Sequence, residues 1–212
     1  MATKKVKETL VLNEVTPRMM EVRIVGTSDL YLNKMNSVTV RSLTDERKDK
    51  AKSTEKPNMW EQIMTSIHWE KGTPTDFSEE GFTEALANNR PCITAFGLKK
   101  SFGDAVVRNN IDTYATKFHA GVNIMGSGLV PIEFAEHFID EKLMSPKKGS
   151  PVLARLNRFS GWSATFNVSY LENVYSAEQI VNIIELAGFG GGIGSGRSSG
   201  YGRYKVDNVK PL

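Results

Sequence analysis

The chain predicts an α+β fold, and three observations carry that expectation. Its first alternating segment reads as a half-buried strand. Its last third reads strand, helix, glycine-rich loop, strand. Its 212 residues, 40% hydrophobic and 9% aromatic, suit one domain with a real core rather than a disordered chain. At the N-terminal end Met20, Val22 and Ile24 alternate with Glu21, Arg23 and Val25, and the strand stops at Gly26-Thr-Ser-Asp29. Asn58-Met-Trp-Glu61 looks like a helix start, with Trp60, Ile63, Met64 and Ile67 as one stripe. Leu98, Phe102, Ala105, Val106 and Asn109 predict a further helix, weakened by Gly103. Lys117 to Met125 is expected to be a strand, whereas Leu129 to Leu143 fits strand or helix.

The C-terminal unit is the most explicit. Trp162, Ala164, Phe166, Val168 and Tyr170 alternate with small polar residues. Ser176-Ala-Glu-Gln179 has the form of a capping box, and Ile180, Ile183, Ile184 and Ala187 follow at helical spacing. Gly188 is the expected left-handed C-cap. Tyr201 to Val206 then alternates again, with Tyr204 and Val206 on one side and Tyr201, Arg203 and Lys205 on the other.

Composition excludes several function classes. No window approaches the ~18 to 20 apolar residues of a membrane span. The polar start Met1-Ala-Thr-Lys-Lys-Val-Lys-Glu has no apolar core of a secretory signal, so a soluble, cytoplasmic protein without membrane contact is expected. The single cysteine, Cys92, rules out an internal disulfide framework and a cysteine-built zinc site, and is expected to be buried. No H-x-x-x-H, cysteine pair or D-x-D pattern occurs, so neither metal nor cofactor is expected. Net charge is only +3. Its distribution is uneven: Leu143 to Leu212 holds eight Lys or Arg and four Asp or Glu, and Leu143 to Leu171 holds no carboxylate. A basic C-terminal third is a modest footprint for a polyanion. The charged segment 41–56 mixes both signs without apolar period and is expected to be a flexible loop or arm.

Between Gly188 and Gly202 lie eight of the eighteen glycines, with Ser195, Arg197, Ser198 and Ser199, followed by Arg203 and Lys205. Such density implies left-handed turns, close backbone approach or flexibility. Backbone N–H groups, hydroxyls and guanidinium groups are what phosphate oxygens need. Gly191 to Ser198 approaches a P-loop, but Arg197 stands where the lysine must be. The order helix, loop, strand is also the reverse of what that motif requires.

The stretch Gly188 to Val206 resembles the glycine-rich loop of the RAMP superfamily, the RNA-binding proteins of CRISPR effector complexes. The likeness is closest at Gly194, Gly196, Arg197, Gly200, Gly202 and Arg203, where glycines and basic residues mix before the last strand. Val22 to Leu30 is similar to that family's opening strand and turn. Uncharacterised phage-encoded proteins of this type share the opening strand and the stretch Leu186 to Gly194. The resemblance implies one ferredoxin-like (RRM-like) domain over residues 1–212, with the antiparallel sheet ordered 4-1-3-2 and helices on one face. Insertions would fall between the first strand and first helix and between the middle strands, and 41–56 would be thumb-like. In that order Met20, Val22, Ile24, Phe166, Val168, Tyr204 and Val206 form the core face. Arg23, Thr165, Asn167, Tyr201, Arg203 and Lys205 form the open face, with Glu21 its only carboxylate.

The expected function is non-catalytic binding of single-stranded nucleic acid, RNA or DNA, by copies lying side by side along the strand. Gly194, Gly196, Gly200 and Gly202 would let its backbone come close. Arg197, Ser198, Tyr201, Arg203, Lys205 and Arg23 would contact it. Arg155, Arg158, Phe159 and Trp162 form a second basic-aromatic cluster, which either extends the groove or is a solvated lead-in with Trp162 buried. Two other classes stay open. One is a phage-encoded mimic that blocks a host CRISPR complex. The other is a metal-independent endoribonuclease using a histidine base. His68, His119 and His137 have no partner fixed by spacing, and His68 is expected to pack beside Trp69.

Overall fold

The computed structural model describes residues 16–37, 40, 58–144 and 152–212. The charged segment 41–56 lies outside the described residues. The first strand, β1 (Pro17–Gly26), buries Met20, Val22 and Ile24 to 2% exposure or less, as its alternation requires. At its end the Trp162 indole lies over Gly26 where a Cβ would stand. Then come β2 (Leu30–Leu32), α1 (Met59–Thr65), β3 (His68–Trp69), α2 (Glu79–Asn88), β4 (Pro91–Thr94) and α3 (Ala95–Arg108). A short helix α4 (Thr116–Gly121) runs straight into β5 (Val122–Ile124), so the segment expected to be one strand is half helix. The ambiguous stretch after it resolves into two strands, β6 (Leu129–Glu133) and β7 (Glu136–Met144). β8 (Val152–Ser160), β9 (Ser163–Leu171), α5 (Ala177–Gly190) and β10 (Tyr204–Pro211) complete the order.

Among the described residues two antiparallel sheets form. The larger runs β10-β1-β9-β6-β4-β3, with β5 also paired to β9. Its heart, β10-β1-β9-β6, is the 4-1-3-2 order of a ferredoxin-like domain in which α3 and α5 are the two crossover helices. The chain between β1 and α3 and the β7–β8 hairpin are the expected insertions. β2-β8-β7 forms the second sheet. α3 and α5 cover one face of the larger sheet: Phe102 stacks toward Phe166 at 6.1 Å, and Ile180, Ile183, Ile184 and Ala187 are essentially fully buried. Each such isoleucine contributes about 1.5–3 kcal/mol of burial. The capping box at Ser176 and Gln179 is present in both directions, at 3.2 and 2.9 Å.

Two details of the last unit differ from expectation. α5 does not stop at Gly188. That glycine lies inside the helix, where its missing side chain admits the backbone of Tyr204, and the left-handed turn falls at Gly192 (φ 68°). β10 begins only at Tyr204. Tyr201 and Arg203 therefore belong to the loop's return and not to the open face. A bulge opposite Arg23 and Ile24 leaves Asp207 as the extra residue of β10, and Glu185 accepts the Val206 N–H at 2.6 Å beside it. Among the described residues no helix is long and apolar enough to cross a membrane.

A polar tie joins the two sheets' surroundings. Asn157 of β8, fully buried, donates to Ile63 O (3.1 Å) and Ser66 Oγ (2.9 Å). With both amide hydrogens used, its Oδ1 faces His137 Nε2 at 2.9 Å, so the imidazole donates from Nε2. The His137 ring also sits between Phe82 and Phe159. Burial holds its pKa below the ordinary 6.5, against a smaller opposite pull from Asn157. The unfolded chain therefore takes up this proton first as pH falls below about 6.5, and stability falls with it. Thermal melts should show a lower midpoint at pH 5 than at pH 7.5, and His137→Gln should flatten part of that dependence. A midpoint independent of pH over this range would contradict the assignment.

Candidate nucleic-acid interface

The glycine-rich loop has a clamped base and an open tip. At the base, Ile193 is buried and its N–H donates to Gly202 O at 3.0 Å. Ser195 N–H donates to Tyr31 O (2.9 Å), Gly202 N–H to Asp29 O (2.8 Å) and Ser101 Oγ to Gly192 O (2.9 Å). Gly194 and Gly202, both at positive φ, press against Tyr31 O and Ile193 O respectively. Their missing side chains let the chain's own backbone come close. Gly196 and Gly200 differ: they flank the 3-10 turn Arg197–Ser199 at φ 72° and 87°, and a Cβ on Gly200 would meet nothing within 4 Å. Ser198 and Ser199 are exposed there.

Around the tip the basic residues separate into two groups. Arg197 is half-buried, Lys205 is exposed on β10, and neither makes an ion pair among the described residues. Arg203 donates to Phe189 O (3.0 Å) and to Arg197 O (3.4 Å), bracing the end of α5 against the tip, and among the described residues its charge meets no carboxylate. The second group is neutralised. Arg158 pairs with Asp29 at 2.8 Å and Asp140 at 3.1 Å and lies over the Phe138 ring. Arg155 pairs with Glu141 at 2.8 Å. Arg23 lies 3.8 Å from both Glu133 and Asp207, so Glu21 is not the open face's only carboxylate. Trp162 is buried, its indole N–H donating to Ser28 O at 2.8 Å, and Phe159 is buried with it.

Tyr201 is also engaged internally. Its ring meets Tyr31 edge-on at 4.6 Å, and the Lys142 ammonium lies 4.3 Å from the Tyr31 ring and 4.9 Å from that of Tyr201. Tyr31 in turn hydrogen-bonds Asp140. Burial, then that carboxylate, pushes the Tyr31 phenol well above its ordinary pKa. Tyr201 thus docks the returning arm of the loop onto the small sheet.

Beside the tip a cavity of about 250 Å³ opens between the loop, β2, β4 and the start of α3. Arg197, Lys34, Lys100 and His68 line it, and among the described residues no carboxylate does. Lys34 makes no ion pair among the described residues, and burial lowers its pKa from 10.5. His68 is half-buried; burial first and the Lys34 charge second lower its pKa. Sequence reasoning missed Lys34 and Lys100. Lys34 has no adjacent basic residue, and the Lys99-Lys100 pair reads as a helix surface; the turn after β2 and the first turns of α3 carry them to the loop from distant parts of the chain. His119 lies apart, its ring over Gly103 on α3.

No family model matches the chain, and no curated protein does. Among solved structures it is similar to a chain of the type III-B Cmr-beta complex bound to cognate target RNA, determined by cryo-electron microscopy. There the TM-score is 0.51 at 13% identity, covering 92% of this chain and 61% of that one. The chain thus spans under two-thirds of that neighbour's length. Cmr6 from Pyrococcus furiosus aligns with a TM-score of 0.33 at 12% identity, over 92% of this chain and 100% of that one. In its α+β fold the chain is similar to that chain of the Cmr-beta complex.

Proposed function

We propose that this protein binds single-stranded nucleic acid without cleaving it, holding the phosphodiester backbone against the loop tip Gly196–Gly200 and the cations beside it. One observation carries the reading. A hydrogen-bonded base presents an exposed tip whose Arg197, with Lys34 and Lys100, lines a cavity to which the described residues contribute no carboxylate. Lys205 and Arg203 add uncompensated charge nearby. Single strands fit better than duplexes, since no described helix presents a basic row for a major groove. The fold's likeness to a chain of a complex that holds target RNA makes RNA the polymer to test first. Copies are proposed to lie side by side along it.

The test compares two arginines. Arg197→Ala keeps the backbone carbonyl that Arg203 uses and removes one phosphate contact, so affinity for single-stranded RNA should fall about tenfold, the worth of one charge-assisted hydrogen bond of ~1.5 kcal/mol. Arg23→Ala, removing an arginine already held by two carboxylates, should bind as the unmodified protein does. Equal losses in both variants, or none in Arg197→Ala, would refute the placement.

A further inference from the structure

We propose that the cavity beside the loop tip is a nucleotide pocket, which takes one nucleotide of the bound strand with its base inside and its phosphate at the mouth. The inference rests on the reading of the chain as a strand binder and adds a site to it. Three features point to an amphipathic, flat, anionic ligand. The walls include Ile93, Leu98 and Ile193, each 5% exposed or less, which gives an apolar lining. Lys34, Arg197 and Lys100 supply cations to the same cavity. Of these only Lys100 has a partner among the described residues, Asp104 at 3.2 Å in an exposed pair of little strength. His68 contributes a flat imidazole without a hydrogen-bond partner among the described residues, a ring on which a base can stack.

Size and place narrow the ligand. A cavity of about 250 Å³ falls just below the ~300 Å³ at which ordinary small-molecule pockets begin, which suits a single nucleotide and no longer segment. A free inorganic anion would leave the apolar wall unused, and an uncharged ring would leave two unpaired cations without a partner. The cavity is also lined by Gly194, Ser195 and Arg197 of the loop itself. A strand following the tip therefore passes its mouth, and one unstacked base can turn in.

Calorimetric titration of the full chain with adenosine and uridine 5′-monophosphates, and with inorganic phosphate alone, provides the test, alongside binding of a labelled single-stranded RNA. A monophosphate should bind and compete with the RNA at least tenfold better than inorganic phosphate does. Lys34→Ala should weaken monophosphate and RNA alike by about tenfold, and Lys34→Arg should restore both. The unmodified protein's titration stands whether or not a variant folds. If RNA binds and Arg197→Ala weakens it, while monophosphates do not bind and Lys34→Ala changes nothing, the pocket is refuted and strand binding survives. Inorganic phosphate competing as well as the nucleotides also refutes it, leaving only an anion site. Failure of both RNA and monophosphates to bind overturns the two proposals together.

Discussion

Gly202→Ala is expected to lower the melting temperature by roughly 10 °C, whereas Gly200→Ala, two residues away, should lower it by only about 3 °C. Both residues hold positive φ, 70° and 87°. An alanine at either pays the left-handed strain of about 1–2 kcal/mol. The difference lies in the surroundings. At Gly202 the added methyl meets the Ile193 carbonyl, a backbone group that cannot swing away, and the clamp formed by the Ile193 and Gly202 N–H groups must open. At Gly200 it meets open space. A total near 3 kcal/mol against 1 kcal/mol follows, at about 2–4 °C per kcal/mol for a chain of this size. Circular dichroism melts of the two variants give the comparison. Equal shifts would mean that the loop base is as loose as its tip.

Asn157→Leu should cost about 3 kcal/mol, with a comparable fall in the melting temperature. The substitution keeps the side chain's bulk but leaves the His137 Nε2–H without its partner beside a fully buried position, and it removes one hydrogen bond each from the Ile63 carbonyl and the Ser66 hydroxyl, which keep their bond to each other. A buried polar group left without a partner costs about 1–3 kcal/mol, and each hydrogen bond lost at Ile63 and Ser66 adds about 0.5–1.5 kcal/mol, which places the total near 3 kcal/mol. Denaturant unfolding of both proteins measures it. A change below 1 kcal/mol would show that the amide is not the tie between β8 and the turn after α1.

Much of the architecture was legible in the sequence because it is written in local patterns. The period-two runs around Val22 and Phe166 and the capping box at Ser176 are each complete within ten residues, and burial follows the two runs apart from Ser163, which is buried on the polar side. The sheet order came from the resemblance of the last unit, which no local pattern encodes. α2, β3 and β4 went unread because β3 and β4 are too short to show a period, and α2 has only a weak apolar stripe, Phe82 and Ala85.

The site was legible only in part, for a physical reason. Glycine density announces unusual backbone, but it does not say whether the neighbour brought close is a ligand or the chain itself. Gly194 and Gly202 answer to Tyr31 and Ile193 and Gly196 to the Tyr201 ring, whereas Gly200 meets open space. Basic residues present the same ambiguity. Arg158 and Arg197 look alike in a string of letters, yet one is held by Asp29 and Asp140 from elsewhere in the fold and the other is not. Lys34 becomes part of the site only when β2 pairs with β8 and the Tyr31–Ser195 bridge brings the loop beside it.

The central claim is that the loop tip and its neighbouring cations hold a phosphodiester strand. Titrating a short single-stranded RNA between about 50 and 200 mM salt tests it most directly, because each neutralised phosphate of a single strand contributes a slope of about −0.7 in log affinity against log salt. Contacts by Lys34, Lys100 and Arg197 predict a slope near −2, reduced by about 0.7 in Arg197→Ala. No binding at the lowest salt, or a slope that Arg197→Ala leaves unchanged, would contradict the account.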